Sequence, residues 1–217
     1  MNPSWLSDDQ VQLRDTLHRL LANGPVPAAR LAEIGALGAT LPEAYGGLGF
    51  GLIEATIIAE SLGRARSTVP FVEATVVAGG LIARLGSDSQ RARWLPGIAD
   101  GTLRVAIAFA ERLHLDPRAP FFRSRKCPGG YELEGTKAPV VGAPGADLIL
   151  INARGEGGVS LHAIPAADLP LSAEYRMVDG LAAATIEASG HKVSADSLLG
   201  PEGTASSVLE EVLEQNK

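Results

Sequence analysis

Few residues in this chain of 217 are of types and spacings that do chemistry. His114 stands two places from Asp116, and a histidine near an acid is the smallest unit of general-base catalysis. The plainer explanation is a surface histidine in a loop. His18, His162 and His191 are scattered, with no partner at ligand spacing, so no metal site is expected. Cys127 has Lys126 beside it, which can lower a thiol pKa, but no base is identifiable to complete a nucleophile. Arg123, Arg125 and Lys126 form a small basic group in what reads as a loop, either solvated or set against the phosphates of a ligand. Glu54 and Glu60 interrupt an otherwise apolar stretch and mark its exposed edge. No catalytic residue is assigned from these.

Composition narrows the classes. Apolar residues make up 46% and charged residues 20%, as in ordinary globular domains. The net charge is −6, and no lysine/arginine cluster has interleaved aromatics, so nucleic acid is not an expected partner. A single cysteine excludes an internal disulfide and suits a reducing cytoplasm. The segment Met1 to Asp9 lacks the basic-then-apolar pattern of a signal peptide, and apolar runs break well short of a membrane span.

The elements that must position these residues change in kind near Gly101. Before it the period is helical. Ser7 with Gln10 reads as a capping box, followed by Val11, Leu13, Leu17, Leu20 and Leu21 mainly on one face. A second helix is expected over Ala28 to Ile34. A third, Leu52 to Leu62, is apolar on most sides and is expected to be buried. Pro70 opens a helix running to Leu85, and Ser87 with Gln90 opens a short one that carries Trp94 and stops at Pro96 or Gly97. After Gly101 the pattern shortens to strands: Leu103 to Ala110, Tyr131 to Gly135, Asp147 to Asn152, Gly158 to Ile164, Glu174 to Val178 and Ala183 to Val193. Such spacing suggests an antiparallel barrel or sandwich. From Thr204 the helical period returns, with Val208, Leu209, Val212 and Leu213 on one side. That face either lies on the preceding domains or awaits a partner. The expected fold class is therefore α+β: an all-α domain over 1–102, a β domain over 103–200, and the start of a further helix over 201–217.

Between the second and third helices lies Leu41-Pro42-Glu43-Ala44-Tyr45-Gly46-Gly47-Leu48-Gly49-Phe50. Pro42 keeps Leu41 extended, and Gly46 and Gly47 can take positive φ, so a tight reversal is expected. This turn resembles the "LPExYGGxG" turn of the acyl-CoA dehydrogenases. Four further stretches follow in the same order. Ala59 to Arg64 resembles "AExLGR", and Gly86 to Gly101 is similar to "GSxxQKxxWLPxxAxG". Leu133 to Leu150 resembles "LNGxKxxxxxxxxADxxLV", and Val193 to Gly200 resembles "VPAxxLLG". Together they cover nearly the whole chain.

The resemblance implies an N-terminal helical domain, a middle β domain and a C-terminal helical bundle, the last absent here. It implies FAD between the β domain and that bundle, partly across a subunit interface. A glutamate, in most members from the bundle, removes the α-proton of an acyl-CoA, and hydride passes to the flavin. The family's "TEPxxGSD" loop aligns with Ala110-Glu111-Arg112-Leu113-His114-Leu115-Asp116-Pro117. Only Glu111 matches. The later aromatic–x–hydroxyl contact reads Ala138-Pro139-Val140. The residues implied at the cofactor are thus Ala110, Glu111, Ala138 and Val140, and none but Glu111 has a polar side chain. Backbone amides at Ala110, Glu111 and Val140 can still donate, whereas Pro139 cannot. Either main-chain groups hold the flavin, or this β domain no longer supports its own. Arg123, Arg125 and Lys126 are the residues that would meet the CoA phosphates.

Two functions follow from the resemblance. One is a subunit or fragment of a flavin-dependent acyl-CoA dehydrogenase that needs a homologous subunit, in a homo- or hetero-oligomer, or the missing bundle. The other is a non-catalytic scaffold that stabilises a catalytic homologue. Steroid and fatty acyl substrates are not distinguished.

Overall fold

The computed structural model describes residues 6–112 and 116–214. His114 lies outside the described residues.

Helix α1, Asp8–Leu20, begins where its sequence says. The Gln10 amide donates to Ser7 Oγ at 3.2 Å, and the Ser7 amide donates back to Gln10 Oε1 at 3.0 Å. This closes the capping box. Helices α2, Ala28–Glu33, and α3, Leu52–Arg64, flank the glycine turn. In α3 one face is buried through Ala55, Ile57, Ile58 and Leu62, while Leu52 and Ile53 at its start are exposed. The expectation of burial all round therefore holds for one face only. Glu60 is exposed, as expected, and pairs with Arg64 one turn on. Glu54 is half-buried: it accepts from Gln10 Nε2 at 2.7 Å and from the Gly51 amide at 3.0 Å, which ties α3 to α1.

The turn itself separates the two glycines. Gly46 has φ +84° and uses glycine's left-handed freedom. Gly47 does not have positive φ. It is small because a Cβ there would lie 2.0 Å from the Leu41 carbonyl oxygen.

The segment after Pro70 is helical, but Val72–Gly79 is a π-helix that runs into α4, Gly80–Leu85. Helix α5, Asp88–Ala99, passes through Pro96 rather than stopping there, because Trp94, Leu95, Ile98 and Ala99 bury its far end. Among the described residues no helix is long and apolar enough to cross a membrane.

The β domain is one eight-stranded sheet, with order β6-β7-β3-β2-β4-β5-β8 and β1 paired with β4. The strands are β1 Val105–Ala108, β2 Arg123–Cys127, β3 Gly130–Val141, β4 Leu148–Gly155, β5 Gly158–Pro165, β6 Leu171–Arg176, β7 Ala182–Ser194 and β8 Leu198–Leu199. The expected sheet was antiparallel, but this one is mixed: β1 runs parallel to β4, and β2 meets β4 in parallel at Arg123 and Arg154. The chain just past β1 also bridges β3, at Glu111 and Ala138. The space between β3 and β4 is thus filled by β1 along one stretch and by β2 along another.

Strand β4 is buried on both faces, which explains its unbroken apolar run. Leu148 and Leu150 face the helices, meeting a core with Leu41, Leu81, Trp94 and Leu95. Ile149 and Ile151 face a second core made only of β-domain residues, including Phe122, Leu133, Val140 and Ile186. The helical domain has its own core around Leu17, Leu31 and Ile58. Helix α6, Ala205–Glu214, lays Ala205, Leu209 and Val212 on the helix-facing core. The described part of its apolar face therefore lies on the domains before it, and the Leu213 side chain lies outside the described residues.

Candidate functional site

Of the residues implied at a cofactor, Ala110, Glu111 and Ala138 meet where β1 ends, β3 bends and β4 passes. The Ala138 amide donates to the Ala110 carbonyl at 2.9 Å, and the Arg112 amide donates to the Ala138 carbonyl at 2.8 Å. Both backbone groups of Ala138 are therefore engaged within the sheet. Val140 is fully buried and belongs to the inner core, and Ala138 is buried too. Of Ala110, Glu111, Ala138 and Val140, only Ala110 is half-exposed. The structure brings Ala110, Glu111 and Ala138 together, while Val140, two residues further along β3, pairs with Ala184 on β7. Ala110, Ala138 and Val140 carry no polar side chain, and the Glu111 carboxylate is engaged within the protein.

That engagement is with Lys137. Lys137 Nζ lies 2.6 Å from Glu111 Oε1 and 2.7 Å from Asn152 Oδ1, and 5.3 Å from the centre of the Phe122 ring. Lys137 is 0% exposed. Burial pulls its pKa down to about 8 against the pull of Glu111 in the other direction. Burial pushes Glu111 upward, but the Lys137 ammonium and two backbone amides outweigh it, so its pKa is lowered. At neutral pH both are charged. Glu111 also accepts from the amides of Phe121 at 2.8 Å and Phe122 at 3.1 Å, while Asn152 Nδ2 donates to the Pro117 carbonyl at 2.6 Å. The interior group thus pins both ends of the β1–β2 connection. Arg118 holds its rim, bonding Asp116 and reaching Glu210 on α6 at 3.0 Å.

Arg123, Arg125 and Lys126 lie on strand β2, not in a loop, and all three are exposed. Alternation on a pleated strand points Arg123 and Arg125 to one side, with Ser124 buried between them. Their cross-strand partners are Glu134 and Glu132. The groove they line also holds Arg154 and Glu156, so its charges balance.

Sequence reasoning missed a second buried group. His162 Nε2 lies 3.0 Å from Ser124 Oγ, its Nδ1 lies 3.1 Å from Ser197 Oγ, and Tyr131 meets it edge-on at 4.9 Å. Desolvation pulls its pKa down to about 4, so the ring is neutral. The three residues come from β2, β5 and the turn before β8, and no local spacing announces them. The signal available was a histidine inside the apolar run Leu161-His162-Ala163, which β5 buries. Among the described residues no three His, Cys, Asp or Glu side chains converge as a metal would require.

Known proteins share this architecture and sequence. Residues 7–102 match the family model for the acyl-CoA dehydrogenase N-terminal domain. The chain is 34% identical over 130 residues to acyl-CoA dehydrogenase FadE12 of Mycobacterium tuberculosis, covering 59% of this chain and 34% of that protein. The chain thus spans about a third of that relative's length. The structure of the ChsE4-ChsE5 complex from Mycobacterium tuberculosis superposes with TM-score 0.85 at 20% identity, over 99% of this chain and 62% of the other. An acyl-CoA dehydrogenase complexed with FAD from Bacillus anthracis superposes with TM-score 0.86 at 22% identity, over 100% and 41%. These two likenesses establish the fold. Residues 7–102 thus belong to the acyl-CoA dehydrogenase N-terminal domain family, and the whole chain has the fold of these two structures.

Proposed function

We propose that this chain supplies the N-terminal and middle domains of an acyl-CoA dehydrogenase subunit, and that its β domain does not hold FAD unaided. In this reading the flavin contacts and the catalytic base come from a C-terminal bundle or from a homologous subunit. The reaction served is oxidation of an acyl-CoA to the 2-enoyl-CoA. The observation that carries the reading is the strip Ala110, Ala138 and Val140: it has no side-chain donor, and both backbone groups of Ala138 are already bonded inside the sheet. A neighbour in shape that is itself a complex of two named chains supports a paired subunit. Exposed Arg123, Arg125 and Lys126 would meet the CoA phosphates. The groove's charges balance, so recognition there would come from guanidinium geometry rather than a net field.

The test is spectroscopic. The purified chain, incubated with excess FAD and desalted, should show no flavin absorption. Co-expression with a homologous subunit should give a complex that does. A yellow chain on its own would overturn the reading. A yellow complex whose flavin and turnover are unchanged when this chain is removed would favour a scaffold.

A further inference from the structure

An apolar cavity of about 300 Å³ opens between the two domains. Val69, Pro70 and Ala74 form its helical wall, and Val105, Leu181 and Ala182 face them from the sheet side. It shares no residue with the strip Ala110, Ala138 and Val140. Ala74 and Thr75 belong to the π-helix Val72–Gly79, a distortion that recurs at functional sites.

The charge of the lining is one-sided. Among the described residues Arg104 and Arg176 are the only ionisable side chains that line it, and no carboxylate does. Asp147 neutralises Arg104 through bonds of 3.2 and 3.1 Å to its two oxygens. Arg176 donates to the Gly180 carbonyl at 3.0 Å and, among the described residues, enters no ion pair. An apolar body fits the walls, and an anion fits the one guanidinium without an acid. Scaling from the ~150 Å³ cavity that holds benzene, the volume suits a chain of roughly ten carbon atoms.

We propose that this cavity binds a medium-chain aliphatic carboxylate, its hydrocarbon against Val69, Ala74 and Leu181 and its carboxylate on Arg176. A polar anion would waste the walls, and a neutral hydrocarbon would make no use of the exposed Arg176 guanidinium. The inference goes beyond the flavin reading and does not rest on it, because its readout is binding and not turnover.

Calorimetric titration of the purified chain with decanoate, 1-decanol and decanoyl-CoA tests it. Decanoate should bind the unaltered chain. Arg176→Gln should weaken decanoate roughly tenfold and leave 1-decanol unchanged, the mark of a charge-assisted contact. Ala74→Phe should fill the cavity and remove both, with the thermal midpoint unchanged. If Ala74→Phe lowers that midpoint, Ala182→Leu fills the cavity from the opposite wall and takes its place. Absence of decanoate binding, or binding that survives in a folded cavity-filled variant, overturns the proposal. So does indifference to Arg176→Gln. Decanoyl-CoA displacing decanoate with equal sensitivity to Ala74→Phe would also overturn it, because the cavity would then be the far end of an acyl thioester site.

Discussion

Lys137 and His162 are both 0% exposed in the same sheet, and both are side chains that can carry positive charge. One keeps it and the other gives it up. Lys137 has Glu111 at 2.6 Å, with Asn152 and the Phe122 ring taking up the rest of the ammonium. Among the described residues His162 has only the hydroxyls of Ser124 and Ser197 and an edge-type contact with the Tyr131 ring. A neutral imidazole donates through one nitrogen and accepts through the other, and a serine hydroxyl satisfies either role. The difference teaches what an interior charge requires. An ammonium without an acid is too costly to bury, whereas a ring that can shed its proton needs only hydrogen bonds.

The strongest way to break the comparison is to leave the lysine alone. Glu111→Ala removes the carboxylate and strands a buried cation. Unfolding free energy in urea should fall by about 3–5 kcal/mol. The double variant Glu111→Ala/Lys137→Met should recover much of that loss, because no charge is left to strand. A double variant no more stable than the single one would mean that the carboxylate's bonds to Phe121 and Phe122, and not the charge, hold the seam.

Acid and alkali separate the clusters next. Below an unfolded pKa near 6.5 the unfolded chain takes up a proton that folded His162 refuses until about pH 4. Stability should therefore fall as pH drops through that window, by up to roughly 3 kcal/mol. Glu111 adds to this on the acid side, since its lowered pKa means stability is lost as it protonates. His162→Gln should flatten the curve between pH 6.5 and about 4 and leave the Glu111 part. For Lys137 the window is alkaline. From about pH 8 to 10.5 the unfolded chain holds more protons than the folded one, so stability should rise with pH there. Lys137→Met should abolish that rise. An unchanged acid limb in His162→Gln would mean the ring is not the group that titrates.

How much of this was legible depends on how far apart in sequence the partners lie. The capping boxes at Ser7 and Ser87 and the turn at Leu41 to Phe50 are local, and they fold as read. Gly47 shows the limit even there: its need is a close backbone approach, which only the folded turn reveals. Lys137 stood out as part of a motif, yet its partners arrive from 26 and 15 residues away. The His162 group spans 38 and 35 residues, across three elements. The parallel pairing of β1 with β4 was equally invisible, because period-two alternation says that a strand exists but not which neighbour it takes. The basic group at Arg123 was misplaced for a similar reason. Its polar run hides a strand whose only buried residue is Ser124.

A smaller effect sharpens the neutral side of the comparison. Ser197→Ala leaves one ring nitrogen of His162 without its hydroxyl and should lower stability by about 1 kcal/mol. The His162 pKa should fall no lower in consequence, since burial and not that bond sets it. Fluorescence-detected urea unfolding at pH 7 would measure the loss.

The smallest effect is expected at the rim. Arg118 bonds Asp116 and Glu210 over the same connection that Glu111 holds from inside, but its side chain is 48% exposed and that of Glu210 is 49% exposed. Such pairs are screened by solvent and salt and hold long side chains in place for little gain. Arg118→Ala should leave the unfolding midpoint unchanged at both low and high salt. Amide hydrogen exchange gives the finer readout. The amides of Phe121 and Phe122 donate to Glu111, so their exchange should quicken in Glu111→Ala and stay slow in Arg118→Ala. Equal quickening in both variants would place the fastening of this connection at its surface, and the buried lysine would then be a consequence of the seam rather than its anchor.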